Sequence, residues 1–211
     1  MIIELTDIGR RFNRDWIFRK MNYRFESGES YAVLGPNGSG KSTLLSVLSG
    51  SLTPSEGEIF YQKNDRKISP EDFYKHISIS APYLDLIEEY TLVEMLAFHQ
   101  KFKPLLADFT VEKIAAVLNL PSARNKQIRY FSSGMKQRLK LVTALFTDSD
   151  ILFLDEPTAN LDDQGIEWYR GLMQQYAKDR IVIIGSNQLH EYDFCGHRIH
   201  LADHKPVPSG R

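Results

Sequence analysis

The most informative segment of this sequence reads Gly35-Pro36-Asn37-Gly38-Ser39-Gly40-Lys41-Ser42-Thr43. It fits the Walker A pattern, in which two glycines separated by four residues precede a lysine and a hydroxyl residue. A compact apolar run precedes this segment at residues 31–34, and residues 42–49 have the composition of a helix. A strand, a glycine-rich turn and a helix in this order predict the opening of an α/β nucleotide-binding unit.

Each residue type in the segment 35–43 has a physical reason to hold a phosphate group. Glycines let successive backbone N–H groups turn towards phosphate oxygens, and the following helix presents free N–H groups and a dipole that favour an anion. Lys41 adds positive charge at the β- and γ-phosphates, and the hydroxyl of Ser42 is a ligand for Mg²⁺. We therefore predict that the whole segment binds ATP, with Mg²⁺ as cofactor.

A second group of candidate site residues follows the apolar run at residues 151–154. Such a run predicts a strand covered on both faces in a parallel sheet, and Asp155 and Glu156 come at its carboxyl end, where open α/β sheets place their ligands. Asp155 is the predicted second Mg²⁺ ligand, directly or through water. Glu156 points away from its neighbour and is the predicted general base for an attacking water. The alternative is an exposed acidic turn before Pro157.

The rest of the chain alternates between strand and helix patterns around these two segments. Short strands are predicted at residues 2–5 and 23–25, with a polar and basic connection at residues 9–19 between them. The same pattern predicts further strands at residues 57–61, 77–79, 181–184 and 198–201. Helices are predicted at residues 134–146 and 166–177.

The middle of the chain, about residues 82–130, has no convincing strand pattern. Thr91 and Glu94 fit a capping box, which predicts a helix at residues 92–102 that Pro104 stops. A second helix is predicted at residues 111–118, with Pro121 ending that segment. We therefore predict one α/β domain over residues 1–211, with a P-loop NTPase core, a mostly parallel sheet, an N-terminal antiparallel β part and a helical subdomain inserted at about 82–130.

Composition narrows the class of protein. The chain has 211 residues, of which 42% are hydrophobic and 25% charged, which is typical of a globular protein and excludes disorder or a coiled coil over the whole length. The net charge of −1 gives no global positive field, so no nucleic acid partner is expected. The apolar runs are far too short to cross a bilayer, so a membrane role requires a partner chain.

Two further motifs indicate a family. Residues 131–138 read FSSGMKQR and resemble the signature motif, Leu-Ser-Gly-Gly-Gln and its variants, of ATP-binding cassette (ABC) ATPases. Residues 155–162 read DEPTANLD and resemble the Walker B motif of that family, extended through its D-loop. Together with the segment 35–43, their order and spacing match the family over nearly the whole chain. The sequence is therefore similar to the ATP-binding subunit of bacterial ABC transporters.

The resemblance implies that two such domains face each other head to tail and bury two ATP molecules. The second chain is then another copy or a related ATPase. The implied contacts to the γ-phosphate held by the opposite chain come from the signature residues Ser132, Ser133 and Gly134. Physical chemistry agrees, because these residues open a helix and a helix N-terminus attracts phosphate. Capping of that helix by Ser132 or Ser133 is the simpler alternative and is compatible with the same contact.

Aromatic residues near the N-terminus are candidates for contact with the adenine ring. Phe12 resembles the aromatic A-loop residue that stacks on adenine in this family, and Trp16 is a competing candidate. Packing of Phe12 in the hydrophobic core is a third possibility. The sequence leaves these alternatives open.

Two positions depart from the family pattern. Pro82 stands where the family usually has a glutamine, and it offers neither a side-chain oxygen nor a backbone donor. Asn187 stands where a histidine usually contacts the γ-phosphate; its amide donates a hydrogen bond but carries no charge. We keep Asn187 beside Glu156 as a predicted catalytic residue.

The resemblance implies a cytoplasmic ATPase that lies on the inner face of the cell membrane and powers a separate transmembrane permease. A permease contact is predicted near an apolar and aromatic segment, with burial inside the helical region as the alternative. This segment contains Tyr83, Leu84, Leu86, Ile87 and Tyr90. Two other functions stay open: an ATP-gated switch with little hydrolysis, which the two departures favour, and a soluble ABC ATPase outside transport.

Overall fold

The computed structural model describes residues 1–107, 109–118 and 123–205. The strands are β1 (Ile2–Phe12), β2 (Asp15–Glu26), β3 (Ser30–Leu34), β4 (Glu56–Lys63), β5 (Arg66–Lys67), β6 (Ile77–Ser80), β7 (Ile151–Asp155), β8 (Ile181–Ser186) and β9 (His197–His200). The α-helices are α1 (Lys41–Leu48), α2 (Pro70–Phe73), α3 (Leu92–Gln100), α4 (Val111–Val117), α5 (Ser133–Phe146), α6 (Asp163–Tyr176) and α7 (Leu189–Tyr192). The predicted helix end at Pro121 lies outside the described residues.

Two sheets form the framework of the fold. Five strands form a parallel sheet in the order β6-β7-β8-β3-β9, and four form an antiparallel sheet in the order β2-β1-β4-β5. This arrangement confirms the predicted α/β fold, with a mostly parallel sheet and an N-terminal antiparallel part. Because β3, β7 and β8 are neighbours and run in the same direction, the segments that follow them meet at one edge.

The parallel sheet is buried on both faces, as the continuous apolar runs predict. Along β7, Leu152 and Leu154 pack into a cluster with α3, α5 and α6. Ile151 and Phe153 alternate with them and pack into a second cluster with α1 and the antiparallel sheet. The sheet therefore holds its carboxyl edge in place from two sides.

The connection predicted at residues 9–19 is wrong, because β1 and β2 continue to a tight turn at Asn13 and Arg14. Asn13 has a φ of 53°, which asparagine tolerates better than most residues. The polar strands are held by contacts across the hairpin: the guanidinium of Arg19 lies 4.5 Å from the centroid of the Trp16 ring and also pairs with Glu56. A basic composition therefore hid a hairpin that packs Phe18 into the core and carries cation–π and ionic contacts on its outer part.

Short helices are the main regular structure among the described residues between β6 and α5. The capping box of Thr91 and Glu94 at the start of α3 is confirmed, whereas α3 ends at Gln100, two residues earlier than predicted. Among the described residues of 82–130, strand pairing is limited to isolated bridges at Thr91 and Leu105. Treatment of this region as a separate subdomain stays a prediction. Within the described ranges, no helix is long and apolar enough to cross a membrane.

A polar contact joins the two sheets at the end opposite the nucleotide segments. Asp150, which precedes β7, accepts hydrogen bonds from Lys63 Nζ at 2.8 Å and from His76 Nδ1 at 2.6 Å. Burial alone would raise the pKa of Asp150, but these two partners outweigh it and hold the pKa below its ordinary value. The contact links β4 of the antiparallel sheet to the start of β7.

Candidate active site at the carboxyl edge of the parallel sheet

The Walker A segment connects β3 to α1 and curls into a cradle of backbone groups. Gly38 and Gly40 have φ values of 75° and 108°, in the region that favours glycine. A Cβ atom on Gly40 would lie 2.0 Å from Ile17 Cγ2, so the packing of this residue also demands glycine. The cradle opens at the N-terminus of α1, whose free N–H groups suit an anion.

Lys41 and Ser39 direct their polar atoms into this cradle. Lys41 is only 5% exposed, and its ammonium donates to the carbonyl oxygens of Gly35 at 2.9 Å and Pro36 at 3.3 Å. The hydroxyl of Ser39 is buried and makes no hydrogen bond within the part of the chain that the structure describes. A buried cation and an unpaired hydroxyl beside backbone donors are a suitable set of groups for phosphate oxygens.

Asp155 and Ser42 form the predicted metal site. Asp155 is 2% exposed at the end of β7, with the Ser42 side chain beside its carboxylate. Burial raises the pKa of Asp155, and the nearby Ser42 hydroxyl opposes that change. Its Oδ1 atom is buried without a hydrogen-bond partner in the described chain. One hydroxyl and one orphaned carboxylate oxygen fit Mg²⁺, which takes few protein ligands and completes its shell with water and phosphate.

Glu156 and Asn187 meet the Walker A segment from two neighbouring strands. Glu156 is half-buried at a φ of 43°, and its N–H donates to the Gly185 carbonyl at 2.9 Å. Asn187 follows β8, and its Nδ2 donates to Asn37 Oδ1 at 3.1 Å. Glu156, Asn187 and Asn37 line one cavity of about 300 Å³. The structure therefore brings the predicted base and the predicted donor to the same space beside the cradle.

The signature residues lie at the start of α5, in a different cavity of about 330 Å³. Ser132 is the N-cap, and its hydroxyl oxygen accepts from Met135 N at 3.2 Å, which settles the choice between the two serines as cap. Its hydroxyl hydrogen stays available for a phosphate. A Cβ atom on Gly134 would lie 3.1 Å from the Asn160 carbonyl oxygen, so the close packing of the D-loop segment requires a small residue here.

The aromatic candidates lie on the β1–β2 hairpin. Phe12 is 45% exposed, with the Arg10 guanidinium 4.6 Å from its ring centroid, so packing of Phe12 in the core is wrong. Trp16 lies near the guanidinium groups of Arg11 and Arg19, at 5.4 and 4.5 Å from its ring centroid. A guanidinium group lies over each ring, and Phe12 is exposed whereas Trp16 is half-buried, so Phe12 is the more accessible of the two for stacking. The adenine contact of Phe12 stays a prediction.

The loop that lacks the usual glutamine carries a polar group one residue later. The Tyr83 side chain lies beside Ser46, one turn along α1 from Ser42. Partial burial raises the pKa of Tyr83, and the charge of Asp155 adds to that rise. Pro82 contributes only its carbonyl, which accepts from Lys140 Nζ at 2.9 Å. The sequence placed Tyr83 in the predicted permease contact but did not reveal its position beside Ser46, because the family pattern directs attention to position 82.

Comparisons with known proteins agree on one family. The family model described as ABC transporter matches residues 18–159. The uncharacterized ABC transporter ATP-binding protein YybJ of Bacillus subtilis is 31% identical over 183 residues, which are 87% of this chain and 84% of that protein. The lantibiotic transport ATP-binding protein SrtF of Streptococcus pyogenes is 29% identical over 205 residues, covering 92% of this chain and 86% of the relative.

Solved structures show the same fold. A putative ABC transporter ATP-binding protein from Pyrococcus furiosus superimposes with a TM-score of 0.81 at 21% identity, covering 98% of this chain and 100% of the other. The ATP-binding cassette MJ0796, solved as a dimer in a post-hydrolysis state bound to ADP and Pi, has a TM-score of 0.75 at 20% identity, covering 94% and 93%.

Proposed function

This chain belongs to the ABC transporter family as an ATP-binding ATPase subunit, and on that premise we propose that it hydrolyses MgATP at the carboxyl edge of its parallel sheet to drive a separate transmembrane permease. One observation carries the proposal. The Walker A cradle, the buried Asp155, and the cavity shared by Glu156 and Asn187 lie side by side at this edge. These are the phosphate, metal and water-activating groups that phosphoryl transfer requires.

Within one chain, we assign each group a role by its position. The cradle and Lys41 bind the β- and γ-phosphates and hold the γ-phosphorus in place, which supplies most of the positioning. Ser42 and Asp155 would hold Mg²⁺, and the bound ion would supply positive charge against the phosphate oxygens. Glu156 accepts a proton from the attacking water, and Asn187 donates a hydrogen bond towards the γ-phosphate from its place against Asn37.

A second ATPase chain completes the site in this proposal. The signature residues line their own cavity, apart from the one that Glu156 lines, although Leu161 borders both. A single chain therefore does not place Ser132 and Gly134 on its own cradle. A partner in the head-to-tail arrangement would bring its α5 N-terminus to the γ-phosphate, where free N–H groups favour the anion. The MJ0796 cassette of similar fold was solved as a dimer.

A groove beside the 82–90 loop is the proposed permease contact. It has a volume of about 260 Å³, an apolar lining that includes Leu84 and Met95, and cationic side chains from Lys103 and Lys140. Leu84 is 39% exposed and Tyr83 is 55% exposed, so these two are available to a partner. Leu86 and Tyr90 instead pack against the core, as in the alternative that the sequence left open. Docking there places the subunit on the inner, cytoplasmic face of the membrane.

The ATP-gated switch is the second candidate, and Pro82 is the observation in its favour. The loop at this position lacks the glutamine that usually couples to the γ-phosphate. Glu156 opposes the switch, because a carboxylate in the cavity beside the cradle is the group that activates water. The two proposals differ in turnover, since a switch binds ATP and dimerises without releasing phosphate.

The test is Glu156→Gln, which keeps size and removes the base. Size-exclusion chromatography with MgATP should show a dimer of the variant, because uncleaved ATP holds two chains together, and mostly monomer without nucleotide. Phosphate release by the parent should exceed that of the variant. A variant that stays monomeric at high protein and ATP concentrations would contradict the shared site. Parent and variant with equal, negligible turnover in the presence of a permease would favour the switch.

A further inference from the structure

We propose that Glu191 is a positioning residue for ATP hydrolysis, which fixes the segment after Glu156 against the end of β8. The inference rests on the proposed function, because that proposal assigns the reacting groups to Glu156 and Asn187. Among the described residues, the Glu191 side chain makes no hydrogen bond to the cradle or to the predicted metal ligands. It therefore acts through its neighbours.

Glu191 is a buried carboxylate with a complete set of donors. It lies on α7, and only 1% of its surface is exposed. Its Oε1 atom accepts from the Thr158 N–H at 2.7 Å and from the Thr158 hydroxyl at 2.5 Å. Its Oε2 atom accepts from the hydroxyl of Ser186. Burial of a carboxylate is costly unless donors surround it, and here three donors do so.

The two residues that donate to this carboxylate lie next to the proposed catalytic groups. Thr158 is two residues after Glu156, and Ser186 immediately precedes Asn187. One carboxylate group therefore bridges the two segments that carry the proposed base and the proposed donor. Glu156 and Asn187 reach the same cavity from different strands, so their separation depends on how these segments are held relative to each other.

Both ends of the bridge are anchored. The Tyr169 hydroxyl, fully buried on α6, donates to the Glu191 carbonyl at 2.9 Å and so fixes α7. On the other side of the segment, Gln137 of α5 donates to the Pro157 carbonyl at 2.7 Å. Because α5 begins at the signature residues, the segment after Glu156 is clamped between the signature helix and Glu191. A displacement of either support would move the base.

The experiment compares MgATP turnover and hydrogen exchange in variants of the full chain. Glu191→Leu removes all three acceptor contacts, and we expect kcat to fall by about tenfold or more with KM for MgATP within about threefold, because binding groups stay in place while the base is misaligned. Exchange at the Thr158 amide should become faster. Glu191→Gln keeps one oxygen for Thr158 and should recover most of the parent kcat.

Two further variants separate positioning from stability. Tyr169→Phe removes the buried hydrogen bond that anchors α7 but leaves the carboxylate contacts; we expect a lower melting temperature and a fall in kcat that is smaller than in Glu191→Leu. Thr158→Val removes the hydrogen bond from the Thr158 hydroxyl to Glu191 and replaces Glu191→Leu in the test if that variant does not fold. Its kcat should fall while its KM for MgATP stays unchanged. Asp193→Asn, an exposed neighbour paired with Arg170, is the surface control.

The outcomes distinguish this inference from the proposed function. If Glu156→Gln abolishes turnover while Glu191→Leu and Thr158→Val keep the parent kcat, the positioning role is wrong and the proposed function stands. A variant effect on KM alone, or unchanged exchange at Thr158 in Glu191→Leu, also overturns it. If Glu156→Gln itself turns over ATP at the parent rate, the proposed catalytic assignment fails. The positioning role of Glu191 then fails as well, because Glu156 is no longer the base that it would position.

Discussion

Replacement of Asn187 by alanine tests whether this chain uses a neutral donor where its family usually has a histidine. The Asn187 amide reaches the Walker A segment, with its Nδ2 atom 3.1 Å from Asn37 Oδ1. Alanine removes this donor and leaves the backbone after β8 unchanged. The variant therefore isolates the contribution of one amide group beside the proposed position of the γ-phosphate.

The size of the effect follows from the exposure of this group. Loss of a buried donor aimed at developing charge costs about 10²–10³ in rate, about 3–4 kcal/mol. Asn187 is exposed and uncharged, so water replaces part of its contribution. We therefore expect kcat to fall by about 10- to 30-fold, which corresponds to about 1.4–2 kcal/mol.

A histidine variant gives the complementary measurement. Asn187→His restores the usual residue and should keep or raise the rate. The new side chain titrates, with an ordinary pKa of about 6.5, whereas the asparagine does not. A change in rate near that pH should therefore appear in the variant only.

The assay is phosphate release at saturating MgATP, with the purified chain and with its permease, across a range of pH. Asn125→Ala, at an exposed position outside the cradle and the two site cavities, is the matched amide control and should behave as the parent. If Asn187→Ala hydrolyses ATP as fast as the parent, Asn187 lies outside the catalytic site and the reasoning fails.

Four other predictions concern the cradle, the loop, the groove and the sheet contact. Lys41→Ala should abolish ATP binding or turnover without unfolding the chain; unchanged binding and turnover would remove the assignment. Pro82→Gln should change the rate less than Asn187→Ala, because the proline also sets the path of the loop; a larger effect in phosphate release would reverse this ranking. A crosslinker on Leu84→Cys should capture the permease in membranes, and one on the exposed Glu58→Cys should not; the opposite pattern would place the contact elsewhere. Asp150→Asn should lower stability by about 1 kcal/mol at pH 7, since its charged hydrogen bonds are partly solvent-screened. Because the pKa of Asp150 is lower in the folded state than in the unfolded chain, the difference in melting temperature should vanish as the pH falls through the folded-state pKa, and a constant difference would contradict the ionic origin.

Local pattern was sufficient for the nucleotide cradle and the central strands. Gly38 and Gly40 have positive φ values in the structure, a backbone conformation that favours glycine, so the residue type alone indicated the local conformation. The run at residues 151–154 is apolar at every position because both faces of β7 are covered. Thr91 and Glu94 cap α3 through contacts three residues apart. In each case the structure depends on a contact between residues close in sequence or on an uninterrupted run of one residue type.

Long-range contacts explain what the sequence did not reveal. The hairpin of β1 and β2 is polar on its outer part, and Arg19 contacts Trp16 and the distant Glu56 there, so hydrophobic periodicity gave no signal. Glu191 and Thr158 are 33 residues apart, and no spacing rule connects them. An acidic residue on a four-residue helix is ordinarily a solvated one, and only the packing of α7 under the loop buries it.

The two departures from the family pattern affect the site in different ways. Asn187 replaces the usual histidine but still places a hydrogen-bond donor at the cradle. The replacement can therefore cost no more transition-state stabilisation than one hydrogen bond supplies. Pro82 removes a side-chain ligand, but the loop stays connected to both neighbouring helices. Its carbonyl accepts from Lys140 on α5, and the Tyr83 side chain lies beside Ser46 on α1. A displacement of α5 would therefore still reach the helix that carries Ser42, the predicted Mg²⁺ ligand, which is the reason to expect hydrolysis coupled to a permease despite the absent glutamine.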